Sequence, residues 1–149
     1  MRSVREKLRE LLLGGVTPEK LALSLAVGLV LGVFPALGWT TLLCTAAAWA
    51  LRLNLPAIQL VNWVAYPLQL ALLIPFMRCG EWLFGAPASS LSVETIVALI
   101  QADVLGAIAT LWWATMRAIV AWMLAGGAAG ALLYVGLVAP LRRMAEGAR

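Results

Sequence analysis

The feature that most constrains this fold is an uncharged run of about 31 residues, from Leu21 to Leu51, interrupted by the segment FPALGWTT. A membrane-spanning helix needs about 20 apolar residues, so the run is long for one crossing and short for two. Pro35 and Gly38 divide it into pieces of roughly 14 and 11 residues, which as helices reach only about 21 and 17 Å, short of the ~30 Å hydrocarbon core. The run therefore predicts a short helical hairpin whose turn lies inside the membrane or near its far side.

The composition agrees with burial in lipid. The chain is 63% hydrophobic and 12% charged, with a mean hydropathy of +0.94, whereas soluble domains are about 45–50% apolar and about 25% charged. We therefore expect an all-α integral membrane protein. The predicted elements are the broken hairpin, either spanning or re-entrant, then a proline-kinked spanning helix and a C-terminal spanning helix, with amphipathic interfacial helices beside them.

Two later segments are the predicted crossings. The segment Leu55–Met77 is long enough to cross, but Pro67 and Pro75 interrupt it. Each proline lacks a backbone donor and leaves the carbonyl four residues earlier without its helical partner. The stretch Ala118–Ala139 contains about 22 apolar residues and reads as a clean span, which we expect Pro140 to close.

The ends of the chain are predicted to lie at the membrane surface. Residues 1–15 read as a cytoplasmic amphipathic helix, in which Ser3 and Glu6 form a capping box. Its basic residues suit the anionic lipids of a membrane surface, although an ordinary solvated helix end would look similar. Residues 16–140 form a single membrane domain in this interpretation, and residues 141–149 form a cytoplasmic basic tail. A second superficial helix is expected near residues 93–103.

The basic residues predict the orientation. If the hairpin returns to its starting side and the two later segments cross, then Arg78 and Arg117 lie on one side alone. The other side holds Arg2, Arg5, Lys7, Arg9, Lys20, Arg52, Arg142, Arg143 and Arg149. Because lysine and arginine accumulate in cytoplasmic loops, both termini of this multi-pass protein are expected to be cytoplasmic.

Polar residues follow the hairpin and the next segment. Gln59, Asn62, Tyr66 and Gln69 fall within an arc of about 80° on a continuous helix, and such a stripe should face the interior of a helix bundle. The predicted polar niche comprises Pro35, Gly38, Thr41, Thr45, Arg52, Asn54, Gln59, Asn62, Tyr66, Pro67 and Gln69. Two interpretations stay open, namely hydrogen bonding between helices and a surface for binding or permeation.

Two faces of small residues predict close helix packing. One consists of Ser24, Gly28 and Gly32, and the other of Gly126 and Gly130. Small residues let helix backbones approach closely, within a protomer or between protomers. Because so few segments bury little interior, we expect a homo-oligomer.

Catalytic chemistry is not indicated. The chain has no histidine, which removes the commonest general base and metal ligand. All seven carboxylates lie in segments predicted to be outside the hydrocarbon, and the two cysteines form no close pair. We expect no catalytic residues, no metal and no cofactor, so the protein is not predicted to be an enzyme. The net charge of +4 is attributed to membrane orientation rather than to binding of nucleic acid.

Three segments carry a family resemblance: TPEKLALSLAVGLVLGVFPALGWTTLL, LRLNLPA and NWVAYPLQ. They resemble the bacterial membrane family called domain of unknown function 2062. The matching positions are Thr17, Pro18, Gly28, Gly32, Pro35, Gly38, Thr41, Arg52, Asn54, Pro56, Trp63 and Pro67. The chain departs from the family pattern where Tyr66 and Gln69 replace an asparagine and a threonine. The resemblance covers roughly residues 16–140 and implies a location in the bacterial cytoplasmic (inner) membrane.

Some relatives carry this domain beside a glycosyltransferase, so the resemblance implies lipid-linked sugar or envelope metabolism. Together with the polar niche, it leads to the expectation that the protein transports or flips a lipid-linked or amphiphilic substrate. The alternative is a non-transporting membrane scaffold or accessory subunit for an envelope-biosynthesis enzyme such as a glycosyltransferase.

Overall fold

The computed structural model describes Glu6, Glu10, residues 16–87 and residues 93–146, and this part of the chain is helical with no strands. The helices are α1 Pro18–Gly32, α2 Thr40–Leu51, α3 Leu55–Val64, α4 Tyr66–Leu83, α5 Val93–Ala102 and α6 Val104–Glu146. The all-α prediction is confirmed. Of the predicted N-terminal helix, only Glu6 and Glu10 lie among the described residues, and both are helical and exposed.

The break predicted in the first apolar run is present. Helix α1 begins at Pro18, where the Thr17 hydroxyl oxygen accepts a hydrogen bond from the backbone of Lys20, and it ends at Gly32. Helix α2 begins at Thr40, after a seven-residue turn over residues 33–39. At ~1.5 Å per residue the two helices are about 22 and 18 Å long. The chain therefore folds into a short helical hairpin, as the sequence predicts.

Helix α3 then runs beside α1 in the same direction. The Asn54 backbone N–H donates to the Ser24 hydroxyl oxygen over 3.0 Å. This bond fixes the start of α3 against the middle of α1. A Cβ atom at Gly28 would lie 2.9 Å from the Ile58 carbonyl oxygen, and one at Gly32 would lie 3.0 Å from the Ala65 Cβ. The predicted small face of α1 thus meets the backbone of α3, where any larger side chain would force the helices apart.

The second apolar segment is not one kinked helix, as the sequence suggested, but two helices. Helices α3 and α4 meet at Ala65 with a bend of 63°. Pro67 lies in the first turn of α4, where a backbone N–H would have no acceptor within the helix, so its absence costs nothing there. Pro75 lies inside α4. Helix α4 also continues past Met77 to Leu83.

Gly80 lies within α4. A Cβ atom there would lie 2.6 Å from the Arg117 carbonyl oxygen. The glycine therefore allows α4 and α6 to approach closely and does not end the helix.

Helix α6 is 43 residues long, which corresponds to about 65 Å. The expectation that Pro140 closes it is wrong, because the helix continues to Glu146. Proline removes one helical hydrogen bond, but packing holds the last turns in place. Leu141 is buried with Leu21 and Ala57 in an apolar cluster.

Described members of the two predicted groups of basic residues lie at opposite ends of the bundle. The Arg142 Nε donates to the Glu19 carboxylate over 2.6 Å, which joins the start of α1 to the end of α6. Arg117 contacts the end of α4 through Gly80. Arg117 and Arg142 are 25 residues apart on one helix, which separates them by about 37 Å. Lys20 follows Glu19 at the first end, and Arg78 precedes Gly80 at the second.

The Glu19–Arg142 pair is sensitive to acid. The pKa of the Glu19 carboxyl lies below its ordinary value of 4.5, first because of its own backbone hydrogen bond and then because of the Arg142 guanidinium. The stabilisation is therefore fully present above pH 4.5 and is lost as the pH falls through the lowered pKa. Since both side chains are largely exposed, this contact positions the helix ends more than it stabilises the fold.

Among the described residues, α6 alone is long and apolar enough to cross a membrane by itself. The bent pair of α3 and α4 passes the same test when the two helices are taken together.

The contact between Gly28 and α3 predicts a local effect of added bulk. Gly28→Ala should lower the free energy of unfolding by about 1–3 kcal/mol relative to Gly127→Ala, because its methyl group overpacks against the Ile58 backbone. Gly127 is the matched control, since it is also helical but has no atom within 4 Å of its Cβ position. Both variants gain the same helix propensity. Thermal unfolding in a mild detergent measures the difference, and equal stability of the two variants would contradict the close contact.

Candidate functional site

The turn after α1 is held by hydrogen bonds from two distant helices. The Trp122 indole N–H on α6 donates to the Val30 carbonyl oxygen over 2.9 Å. The Gln69 side-chain amide on α4 donates to the Phe34 carbonyl oxygen over 2.8 Å. The Phe34 and Trp122 rings also pack edge to face, with centroids 5.0 Å apart. Carbonyl groups that the broken helix cannot satisfy therefore find donors within the protein.

The second half of the turn is open. Leu37, Gly38 and Trp39 are exposed, whereas Pro35 is buried. Gly38 has a φ of +85°, a left-handed conformation that glycine adopts without steric cost. Helix α2 then begins without a side-chain cap. The turn thus has one side covered by α4 and α6 and one side that faces outward.

Polar side chains join α2 to α3 in what we call the polar seam: Thr41, Thr45, Gln59 and Asn62. The Gln59 amide nitrogen donates to the Thr41 carbonyl oxygen (3.1 Å) and to the Thr45 Oγ1 (2.9 Å). The Asn62 amide nitrogen donates to the Gln59 Oε1 (3.2 Å) and lies 3.4 Å from the Thr41 Oγ1. Asn62 is buried, Gln59 is half-buried, and both threonines are exposed. The polar seam therefore runs from the interior to the protein surface.

Two other predicted niche residues shape the connection between α2 and α3. The Asn54 side chain accepts a hydrogen bond from the Ala57 backbone over 2.8 Å and so caps α3. Arg52 ends α2 in the left-handed conformation, with a φ of 51°, and is exposed. Both residues lie away from the polar seam, and Arg52 does not share the contacts of Thr41 and Thr45.

The predicted single stripe of four polar residues is divided by the bend at Ala65. Gln59 and Asn62 bond to α2, whereas Gln69, which is almost fully buried, bonds to the turn. Tyr66 lies beyond the bend and is 53% exposed, and Pro67 beside it is exposed as well. The 80° arc assumed one continuous helix, which the chain does not form.

The second small face packs against α1. Cβ atoms at Gly126 and Gly130 would lie 3.1 and 3.0 Å from the side chain of Val30. On α1 itself, the buried Ser24 hydroxyl donates to the Lys20 carbonyl oxygen over 2.7 Å and accepts from Asn54. The five predicted packing residues thus lie where α1 contacts α3 and α6.

The chemistry available at this site is hydrogen bonding. Within the described ranges, no buried side-chain nitrogen or oxygen lacks a hydrogen-bond partner. The same ranges hold no group of three His, Cys, Asp or Glu side chains that could bind a metal ion. The polar seam offers hydroxyl and amide groups, which donate and accept hydrogen bonds.

Sequence reasoning missed Trp122. Trp122 lies five residues after Arg117, near the start of the predicted span Ala118–Ala139, where a tryptophan is ordinarily interpreted as an interface residue. A lone N–H donor in an apolar stretch indicates a hydrogen bond to another helix, since a buried tryptophan usually finds an acceptor. Its acceptor, the Val30 carbonyl, becomes available only because α1 ends two residues later.

The hydrogen bond from Gln69 to the turn predicts a loss of stability on substitution. Gln69→Met keeps the length of the side chain but leaves the Phe34 carbonyl without its donor, which should cost about 1–3 kcal/mol. Tyr66→Phe, on the same helix but exposed, should change stability by less than ~0.5 kcal/mol. Thermal unfolding in detergent compares the two variants. A Gln69→Met protein as stable as Tyr66→Phe would show that the turn does not depend on this bond.

Comparison with known proteins identifies the family. Residues 1–149, the whole chain, match the family model described as "Uncharacterized protein conserved in bacteria (DUF2062)". No curated protein and no solved structure matches the chain. The match agrees with the resemblance carried by the hairpin motifs and extends it to both ends of the sequence. The chain therefore belongs to the bacterial DUF2062 family.

Proposed function

We propose that the protein is a multi-pass component of the bacterial cytoplasmic membrane. The separation of about 37 Å between Arg117 and Arg142 along α6 exceeds the ~30 Å hydrocarbon core, so both arginines can reach headgroups. Large apolar side chains such as Trp49 and Leu132 are exposed on the helices between the two ends, as expected of a surface that contacts lipid. By the positive-inside rule, the end with Lys20 and Arg142 is cytoplasmic, as are both termini.

In this orientation the turn of the hairpin lies in the outer half of the membrane. Trp122, which contacts the turn, is 20 residues from Arg142, or about 30 Å along a helix that can tilt by 0–40°. The polar seam lies beside and just below the turn, in the first two turns of α2 and in the middle and end of α3. Its hydroxyl and amide groups are therefore within the hydrocarbon region.

The function that the geometry supports best is the binding and transfer of an amphiphile with a polar head. The observation that carries this proposal is the exposure of Thr41 and Thr45, bonded to Gln59, on an otherwise apolar hairpin. Exposed polar groups at membrane depth are rare unless they meet water, substrate or protein. A lipid-linked substrate can place its head at the polar seam while its apolar part remains in the bilayer.

A second candidate is a scaffold or accessory subunit for an envelope-biosynthesis enzyme such as a glycosyltransferase. Every buried side-chain nitrogen or oxygen in the described residues has a hydrogen-bond partner. This observation favours a structural role, in which the polar seam only bonds α2 to α3. A partner helix would then cover the two threonines. A homo-oligomer would do the same with a second copy of the chain.

The proposed orientation can be tested with the native Cys79. Cys79 is exposed beside Arg78, so a membrane-impermeant maleimide should label it in cells whose outer membrane alone has been opened. An Arg52→Cys variant that also carries Cys79→Ser should react only after the cytoplasmic membrane is permeabilised. Cys44 is buried and provides the unreactive background. Labelling of both sites from the outside, or the reverse order, would contradict the topology.

The transfer function can be tested by removing one hydroxyl group. The protein is reconstituted into 3:1 phosphatidylethanolamine/phosphatidylglycerol vesicles that contain a nitrobenzoxadiazole-labelled phospholipid, and dithionite quenching measures movement between leaflets. Thr45→Val should slow wild-type transfer about fivefold, because one hydrogen-bonding group worth ~1 kcal/mol is lost. Thr110→Val is the matched control, since the Thr110 hydroxyl is also exposed and donates to the carbonyl four residues earlier.

Two results would contradict the transfer function. Lipid transfer in vesicles with the wild-type protein could be no faster than in protein-free vesicles, or the two valine variants could slow transfer equally. Either result, combined with a stoichiometric enzyme partner in a gentle pull-down, would favour the accessory subunit instead.

A further inference from the structure

An apolar groove of about 360 Å³ lies between α1 and α6. Leu23 and Leu31 lie at its two ends on α1, and Gly127, Gly130 and Tyr134 line it on α6. At ~100° per residue, the groove face of α1 is turned by about 140° from the face that packs on α3. The groove is therefore separate from the polar seam, which lies between α2 and α3.

Glycines on α6 create this groove. Gly126 and Gly130 hold α6 close to Val30, whereas the Cβ position of Gly127 has no atom within 4 Å. Toward the cytoplasmic end, the buried contact of Leu21 and Leu141 closes the gap between the two helices. The result is a slot between the two helices that is open to the outside beside Gly127.

The dimensions of the groove select its occupant. From Gly126 to Tyr134 the slot is eight residues long, or about 12 Å, and its volume makes it narrower than a helix of ~10–12 Å diameter. A helix from a second copy could therefore lie across the slot but could not enter it. An extended hydrocarbon chain fits the width and the apolar lining, which is typical of sites for lipophilic ligands.

A positive charge near the cytoplasmic end of the groove completes a phospholipid site. Lys20 lies one helical turn before Leu23 on the groove side of α1, and its side chain is exposed. In the described ranges Lys20 has no carboxylate partner, because Glu19 beside it is paired with Arg142. An ammonium group at the headgroup level attracts an anionic lipid. The Tyr134 phenol lies at the same end of the groove.

We propose that this groove binds one acyl chain of an anionic phospholipid from the cytoplasmic leaflet, with the lipid phosphate at Lys20. This inference rests on the proposed membrane orientation but not on transfer at the polar seam. The groove runs along α1 from Leu23 to Leu31, about 12 Å, so an acyl chain that starts beside Lys20 can extend along it toward the turn.

Native mass spectrometry of the whole protein in mild detergent with added phosphatidylglycerol or phosphatidylcholine tests the site. The wild type should retain one phosphatidylglycerol and prefer it about fivefold over phosphatidylcholine. Gly127→Leu, which fills open space, should lower the lipid-bound fraction about tenfold. Gly136→Leu is the matched control, because Gly136 lies on the same helix in open space and outside the groove. Lys20→Gln should retain a lipid but lose the preference.

Three outcomes would overturn the site: a wild type without a retained lipid, equal binding by the two leucine variants, or a Gly127→Leu protein that loses an oligomeric mass instead of a lipid. The last outcome would identify the groove as an interface between copies. The Thr45→Val variant should keep its lipid, so failure of the transfer function would leave this result unchanged.

Discussion

The structure depends on how the broken end of α1 satisfies its backbone carbonyls. A helix that stops at Gly32 leaves acceptors that neither an apolar side chain nor lipid can bond. Gln69 and Trp122 supply the donors for Phe34 and Val30. Because these donors come from α4 and α6, the same two hydrogen bonds hold both helices against the turn. The turn is therefore joined to both α4 and α6.

Close packing around α1 follows from this arrangement. Helix α1 contacts α2, α3 and α6, and small residues at Gly28 and Gly126 reduce the distance to two of these partners. The two features proposed for function arise in the spaces that remain. The polar seam lies where the short helices α2 and α3 cross, and the apolar groove lies where a glycine-lined part of α6 leaves a gap beside α1. We propose that the polar seam accepts a polar head and that the groove accepts an acyl chain.

The sequence was sufficient to predict the hairpin break, the helical class and the faces of small residues, because each depends on local patterns of proline, glycine and charge. Pro67 predicted a kink in the second segment but not its size, a bend of 63° at Ala65 that places Gln59 and Gln69 on two separate helices. Nor could the sequence show that α6 continues through Pro140, since the cost of a proline is offset by packing of Leu141 that no local pattern records. Trp122 was missed for the same reason: its partner is 92 residues away.

The central claim is that residues 18–51 fold back on themselves within the bilayer. Spin labels at Lys20 and Trp49, two exposed positions, measure this directly by pulsed electron paramagnetic resonance in lipid nanodiscs with both native cysteines replaced. Ala48 packs near Val27, so the hairpin predicts a single distance below about 25 Å, whereas an unbroken helix would separate the labels by about 44 Å. The short distance is the result that this account predicts, and the long one would contradict it.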